Sequence, residues 1–289
     1  MDVNRRTFLG QVAAGLLLSA GTGRAAEHSI DRLGVQLYTV RDLMAKDFEG
    51  TLAKVAGLGY KEVEFAGYFD HSPQDVKTIL GRHGLTSPST HTDFASLGDG
   101  FPKVVEASQT IGHRYIVNPW IDEEMRKQPD VWKRVAATFN RAGEISKKAG
   151  IQFAYHNHHF EFVPVDGTMP YDLLLKECDR DLVKMELDLC WITVAGQDPL
   201  VYFQRNPGRF PLVHVKGLKQ VPAGPAPAPF DKAIPNITDV GTNDIIDWKR
   251  IFEHSEQAGI RHHFVEHDQP ASPLDSLRAS ATYLRALRF

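Results

Sequence analysis

Short apolar runs alternate with longer amphipathic stretches along the chain from residue 32 onward. The runs at 32–40 (RLGVQLYTV) and 60–66 (YKEVEFA) have the length and the β-branched and aromatic content of buried strands. Between them, residues 47–58 repeat apolar positions at helical spacing and end at Gly59, a residue type that favours a helix C-terminus. The pattern therefore predicts a strand followed by a helix.

This strand–helix unit recurs eight times. The predicted strands span residues 32–40, 60–66, 85–93, 114–120, 151–162, 182–191, 211–217 and 262–267. The predicted helices span residues 47–58, 72–84, 101–111, 129–149, 170–178, 199–205, 247–257 and 273–287. Alternating strands and helices indicate a parallel sheet. Eight such units are typical of a single-domain α/β protein with the (β/α)8 fold, the TIM barrel.

An open, doubly wound sheet is the alternative fold. Such sheets usually have fewer strands, and those that bind dinucleotides have a glycine-rich turn after the first strand. The corresponding turn at residues 39–42 (TVRD) contains no glycine. The closed barrel is therefore favoured, and the sequence has no dinucleotide-binding fingerprint.

A proline-rich segment interrupts the pattern after the seventh strand. Residues 218–246 include the run VPAGPAPAPF at 221–230. Loops of this length in a compact domain are usually functional or disordered. In a barrel this loop would lie at the C-terminal rim, either as a lid over the substrate or as a plain insertion.

The first 25 residues read as a separate segment. Arg5 and Arg6 form a twin-arginine pattern that precedes a short apolar run at 12–20, and residues 23–25 (GRA) suit a cleavage site. The segment resembles a Tat export signal, which predicts an exported, periplasmic or extracellular protein whose mature domain is 26–289. An ordinary helix or a membrane anchor is the alternative. The run is too short for a spanning anchor, so we expect the Tat machinery as a partner and no stable membrane insertion after cleavage.

Composition narrows the possible partners. The 289 residues are 42% hydrophobic and 24% charged, with a net charge of −3. The absence of a basic block argues against nucleic acid as a partner. The two cysteines are too few for a disulfide framework.

The sixth and seventh strands carry charge on their inward face. Alternate side chains of a strand share a face, so Glu186 and Asp188 point one way and the apolar residues of 183–189 point the other. His214 and Lys216 share a face in the same manner. Buried charges of this kind are costly without a partner, and a divalent metal ion is such a partner.

Most of the other strands also end in polar residues, which is where the catalytic residues of these barrels lie. Asp188, His214 and Glu266 come from three successive strands, and His156 is the candidate fourth ligand. This oxygen and nitrogen set suits Mn²⁺ first, and also Mg²⁺, Co²⁺ or Zn²⁺. The remaining polar strand ends supply His91, Glu64, Asn118, Trp120, His158 and Glu161.

Several motifs together resemble the xylose isomerase-like TIM-barrel family of sugar isomerases and epimerases, which includes inosose dehydratase-like members. The motifs are GVQLYTVRD, GYKEVEFAG, YHNHHFEF, ELDLCW, LVHVKG and FVEHD. The resemblance implies a divalent metal held by Asp188, His214 and Glu266 and by a carboxylate on strand five. His156 stands at that strand-five position, and Trp191 stands where many members carry a histidine. Endonuclease IV-like members use three metals and a larger set of ligands, and this chain has neither that set nor a basic surface, which argues against DNA repair.

The resemblance implies a metal-dependent isomerase or epimerase of a sugar or keto-sugar that acts through an enediolate. Glu266 and His158 are the candidate bases, and Lys216 is the third catalytic candidate. The predicted substrate-binding residues are His91, Glu64, Asn118, Trp120, Glu161 and Trp191.

Two alternatives stay open. The same enolate could expel a β-substituent, as in a keto-glycoside lyase or an inosose dehydratase-like enzyme. The YHNH motif of strand five and the export signal, which would place the protein where glycosides are available, both favour elimination. The missing strand-five carboxylate favours a non-catalytic sugar-binding protein.

Overall fold

A computed structural model describes residues 28–128, 130–223 and 229–289. Eight parallel strands form a closed barrel in which every strand pairs with its neighbours in sequence and the last strand pairs with the first. The strands are β1 (Leu33–Gln36), β2 (Glu62–Phe65), β3 (Thr86–His91), β4 (Tyr115–Asn118), β5 (Gln152–His156), β6 (Val183–Asp188), β7 (Leu212–Val215) and β8 (His262–Val265). The predicted single-domain (β/α)8 fold is confirmed.

Helices cover the outside of the barrel. One helix follows each strand, at Phe48–Gly57, Pro73–Arg82, Phe101–Ile111, Val131–Lys148, Pro170–Glu177, Pro199–Arg205, Trp248–Phe252 and Pro273–Ala286, and additional short helices lie between them. Their ends follow local chemistry: the Ser72 hydroxyl accepts the Asp75 N–H, and Gly112 closes a helix with a positive φ of 104°. None of the helices in the described ranges combines the length and apolarity needed to cross a membrane.

Several strands end earlier than the hydrophobic pattern predicts. Leu37–Val40, the predicted end of strand one, is a 3₁₀ helix. Leu189–Val194 is a short helix because Asp188 caps it, its Oδ1 accepting the N–H groups of Cys190 and Trp191. Residues past His156 leave the sheet and turn through Phe160–Phe162. The chain must bend at the rim to reach the next helix, and capping interactions there take over from strand pairing.

The inside of the barrel changes from apolar to polar along three of the strands. Five side chains form a separate apolar cluster near the N-terminal ends of the strands, Tyr115, Val117, Ala154, Leu212 and Phe264. Two residues further along three of these strands, the inward positions become His156, His214 and Glu266. On these three strands the apolar cluster therefore lies below the ionisable groups, which come at the C-terminal ends.

The segment after β7 is partly ordered by backbone pairing. Gly217–Leu218 pairs antiparallel with Ile237–Thr238, and a short helix spans Phe230–Ala233. Asp244 fixes the end of the segment by accepting the N–H groups of Leu218 and Ile246. Residues 224–228 of the proline-rich run, and the predicted export signal at 1–25, lie outside the described residues.

Candidate active site

Three buried side chains from adjacent strands lie close enough to hold one metal ion. His156, Asp188 and His214 each offer a ligand atom within 4.8 Å of the other two. His156 Nε2 lies 3.9 Å from Asp188 Oδ2, and His214 Nδ1 lies 3.8 Å from the same oxygen. We call these residues the upper triad. The structure thus brings together three of the four predicted metal ligands.

Glu266, the fourth predicted ligand, lies beside the upper triad and is paired with Lys216. Its Oε2 is 2.8 Å from His214 Nδ1 and 2.7 Å from Lys216 Nζ. The Lys216 ammonium also lies 3.0 Å from Asp188 Oδ2 and 3.2 Å from Asp268 Oδ2. A buried ammonium therefore links the predicted ligands to Asp268, which the sequence reasoning did not select.

A second buried group, which we call the lower quartet, comprises Glu64, His91, Glu186 and His214. His91 Nε2 lies 3.1 Å from Glu64 Oε1 and 2.9 Å from Glu186 Oε2. His214 Nε2 lies 2.8 Å from Glu64 Oε1 and 3.3 Å from Glu186 Oε2. Gln36 donates to Glu64 Oε1 over 2.7 Å. Glu64 and His91, predicted to bind substrate, are thus engaged with two other buried side chains.

Glu186 is the member of the lower quartet to which sequence reasoning gave no role. Its position two residues before Asp188 on β6 already places it inside the barrel, one inward position nearer the closed end. The alternation of side chains along β6 is therefore enough to predict that Glu186 points into the barrel. Its contact with His91 joins β6 to β3 across the barrel, and strand periodicity does not reveal such a contact.

Aromatic rings line one side of the barrel mouth. Trp120 packs edge-on against His158, with 4.8 Å between ring centroids. Phe230, from the short helix after the proline-rich run, stacks on Trp191 with centroids 5.0 Å apart and planes 17° apart. Phe230 also lies near His159. The predicted residues Trp120, His158 and Trp191 therefore share one wall, and the structure adds Phe230 to it.

Glu161 and Asn118 are held by neighbouring groups. The Glu161 carboxylate accepts the Tyr155 hydroxyl and, over 2.9 Å, the His158 N–H, and the residue is fully buried. Glu161 therefore positions the backbone of His158, and the structure does not bring it to the upper triad. Asn118 Nδ2 donates to the Thr92 carbonyl, while its buried Oδ1 has no hydrogen-bond partner among the described residues.

The charges at the site depend on burial opposed by neighbouring groups. Burial alone would lower the pKa values of His214 and Lys216, but the surrounding carboxylates outweigh it and hold both pKa values well above the usual ones. Burial likewise opposes a raised pKa for His91, which Glu64 and Glu186 bring to about 9. In the protein without a bound metal, these groups therefore carry positive charge at neutral pH.

Glu266 and His158 are held in their deprotonated forms. Burial would raise the pKa of Glu266, but Lys216 and His214 outweigh it and lower that pKa, so the carboxylate is ionised at neutral pH. Burial lowers the pKa of His158 well below its usual value, and Lys216 lowers it further. Glu266 and His158 are therefore both in forms that can accept a proton.

The upper triad has the chemistry of a metal site. Asp188 Oδ2 and His214 Nδ1 are buried, and neither makes a well-directed hydrogen bond within the described structure, although charged groups surround them. Carboxylate oxygen and imidazole nitrogen together suit Mn²⁺, Co²⁺ and Zn²⁺. These residues therefore fit a divalent cation, and Lys216 is the group that would share Asp188 with it.

Comparisons with known proteins identify the family of the chain. The model of a family described as xylose isomerase-like TIM barrel matches residues 52–287. An inosose dehydratase from Lacticaseibacillus casei is 24% identical over 236 residues, which cover 73% of this chain and 78% of that protein.

Solved structures share the fold. A sugar phosphate isomerase/epimerase from Parabacteroides distasonis is 26% identical, with a TM-score of 0.71 over 88% of this chain and 93% of that one. A xylose isomerase-like TIM-barrel protein from Mycobacterium smegmatis, solved in complex with magnesium, is 14% identical, with a TM-score of 0.64 over 88% of this chain and 95% of that one. At that identity the second likeness concerns the fold alone.

Proposed function

The chain belongs to the xylose isomerase-like TIM-barrel family, and on this premise we propose that it is a metal-dependent isomerase or epimerase of a sugar or keto-sugar. The observation that carries the proposal is the buried upper triad beside the Lys216–Glu266 pair. It places candidate metal ligands, an ionised carboxylate and an ammonium within one polar end of the barrel. Such a set can bind a carbonyl oxygen and remove the proton on the adjacent carbon.

His156, Asp188, His214 and Glu266 would hold the metal. When bound, a divalent cation supplies Lewis-acid charge that makes the carbon acid next to a carbonyl easier to deprotonate. We propose Mn²⁺ as the bound metal, because the donor atoms are carboxylate oxygens and imidazole nitrogens.

The protein's own groups would divide the proton transfers. The ionised Glu266 carboxylate takes the α-proton, and the enediolate that results is stabilised by the Lys216 ammonium nearby. Neutral His158 is positioned by Glu161 through its backbone and exchanges a proton with a substrate oxygen or with the neighbouring carbon. Trp120 and Trp191 bound the space that a sugar ring would occupy.

Elimination is the second candidate function. A symmetric epimerase would use two carboxylates as paired bases, whereas the strand-five position holds His156, whose pKa is lowered by burial and by His214. The similarity to inosose dehydratases, whose name denotes loss of water, also favours this candidate. In this version the same enolate expels a β-substituent, and the protein acts as a keto-glycoside lyase or a dehydratase.

The test is proton exchange on a panel of keto-sugars and glycosides in deuterated water with added Mn²⁺. We expect deuterium beside the carbonyl without loss of a group, because isomerisation returns a proton to the carbon that lost one. An enone with released water or aglycone would support elimination instead. Binding of a sugar with neither reaction would contradict both enzymatic proposals and favour a sugar-binding protein.

Glu266→Gln gives the residue-level test. We expect the exchange rate to fall at least about a hundredfold, the lower end of what a general base contributes. Glu256→Gln, an exposed glutamate on the helix Ser255–Ala258, is the matched control and should exchange at the wild-type rate. An unchanged rate in Glu266→Gln would remove Glu266 from the mechanism.

A further inference from the structure

The four donor atoms of the lower quartet form a closed ring of alternating nitrogen and oxygen. Its sides, in order from His91 through Glu64, His214 and Glu186, are 3.1, 2.8, 3.3 and 2.9 Å. A planar ring with sides near 3 Å has its centre about 2.1 Å from each corner, which is the length of a Zn²⁺–N or Zn²⁺–O bond. The ring therefore has the size of a first coordination shell.

Hydrogen bonds account for two of the four sides of this ring, His91 with Glu186 and His214 with Glu64. Each imidazole nitrogen carries one N–H at most, yet His91 Nε2 and His214 Nε2 each face two carboxylate oxygens. Lone pairs directed at one cation in the centre would engage all four donors at once. The opposite carboxylate oxygens, Glu64 Oε2 and Glu186 Oε1, are buried and have no hydrogen-bond partner within the described residues.

The charge of the interior points the same way. Five buried carboxylates contact the upper triad, the lower quartet or Lys216, namely those of Glu64, Glu186, Asp188, Glu266 and Asp268. Lys216 offsets one of these charges. One divalent cation at the upper triad would still leave two negative charges uncompensated if the imidazoles are neutral. Buried charge without compensation is costly, and a second divalent cation would offset most of it, leaving one negative charge when His214 bridges the two cations as an imidazolate.

We propose that Glu64, His91, Glu186 and His214 form a second divalent-cation site, one layer deeper in the barrel than the candidate metal centre. His214 would serve both sites as an imidazolate that has lost both N–H protons to solvent, because its nitrogens face opposite ways, Nδ1 towards Glu266 and Nε2 towards Glu64. The deeper site shares only His214 with the proposed function, so the two proposals can fail separately. Its N₂O₂ donor set suits Zn²⁺, Co²⁺ or Cu²⁺.

The experiment is a Co²⁺ titration of the whole mature protein after chelator treatment, followed by visible absorption and by equilibrium dialysis. We expect two equivalents of Co²⁺ per chain. Glu186→Gln should bind one equivalent, because it removes a ligand of the lower quartet alone. Asp188→Asn should also bind one, with a different visible spectrum, because it removes a ligand of the upper triad alone.

Glu62→Gln is the matched control. Glu62 is a buried glutamate on the same strand as Glu64 and accepts from a histidine, His262, over 2.7 Å, but it belongs to neither group of candidate ligands. This variant should keep both equivalents. Its result separates loss of a ligand from general loss of barrel stability.

The wild-type end point decides the proposal even if a variant fails to fold. A single equivalent that Asp188→Asn abolishes and Glu186→Gln retains would overturn the deeper site and leave the proposed function standing. In that case the quartet is a set of charge-assisted hydrogen bonds between imidazolium and carboxylate groups. No bound Co²⁺ at all would overturn both proposals.

Discussion

His214 connects more of the interior than any single sequence position suggests. The alternation along β7 predicts that its ring points into the barrel, and this could be read from residues 212–216 alone. Its contact with Glu64 spans 150 positions of the chain and depends on the curvature that brings β2 and β7 together. Periodicity therefore predicts the direction of a side chain, whereas its partner is set by barrel closure.

His113 permits a prediction about stability and pH. This buried ring contacts the Ser87 carbonyl through Nδ1 over 2.8 Å and the Tyr68 hydroxyl through Nε2 over 3.0 Å. Burial lowers its pKa to about 4. Between that value and about 6.5 the unfolded chain binds a proton that the folded chain refuses, so stability falls as the pH drops through this window. The loss from His113 is at most about 3 kcal/mol.

His113→Asn should make the pH dependence shallower, because asparagine keeps a donor towards Ser87 but cannot be protonated. The measurement is the free energy of unfolding by denaturant at pH 7 and pH 5. His28→Asn, at an exposed position, is the control and should keep the wild-type difference. An equal pH difference in the wild type and in His113→Asn would show that His113 does not carry the effect.

At the scale of elements, the strand ends are where sequence reasoning was least accurate. The pattern of residues 182–191 predicts a strand to Trp191, because Leu189, Cys190 and Trp191 are all apolar. In the structure Asp188 ends the strand and caps the next helix, and its other oxygen belongs to the upper triad. The Asp188 carboxylate thus caps a helix with one oxygen and belongs to the candidate metal site with the other. A window of apolar residues does not reveal such double use.

The short helix Phe230–Ala233 gives a prediction at the same scale. Phe230 covers Trp191, and its ring is still 38% exposed, so it stands between the aromatic wall and solvent. Phe230→Ala should raise KM for the keto-sugar substrate roughly fivefold and leave kcat nearly unchanged. The variant loses about 1 kcal/mol of contact between the aromatic ring and the bound substrate, at a distance from the reacting groups.

Val221→Ala is the control, because Val221 is similarly exposed on the other arm of the segment. Steady-state kinetics on both variants measure the effect. Equal KM values in Phe230→Ala and the wild type would mean that Phe230 does not border the substrate. A fall in kcat alone would assign it to a different step.

At the scale of the whole molecule, the fold was predictable because eight similar units repeat the same local pattern. Each unit needs only its own strand and helix signals, and the right-handed connection of parallel strands leaves few topologies. Closure of the barrel, in contrast, depends on contacts between residues that are far apart in the sequence. Leu33 pairs with His263, and the backbone of His28 bonds to that of Phe289, so the seam joins the two ends of the described barrel. The candidate site requires this closure, because its residues come from strands on both sides of the seam.

The seam has a consequence for the export that the twin arginines predict. A barrel whose first and last strands pair, and whose candidate metal ligands lie on five strands and just after the last one, can be complete only after the C-terminus has been synthesised. We therefore propose that the protein folds before it crosses the membrane, as the Tat route requires. Cleavage after Ala25 would leave every residue of the seam in place.

The double substitution Arg5→Lys and Arg6→Lys should leave the protein in the cytoplasm, folded and able to bind metal. The export signal is lost, whereas the barrel is unchanged. Cell fractionation with immunodetection measures this, and limited proteolysis of the retained protein checks its fold. Arg24→Lys, in the same segment but outside the arginine pair, should still be exported. Equal periplasmic amounts of the double variant and the wild type would exclude the twin-arginine route, and a retained but protease-sensitive protein would contradict folding before export.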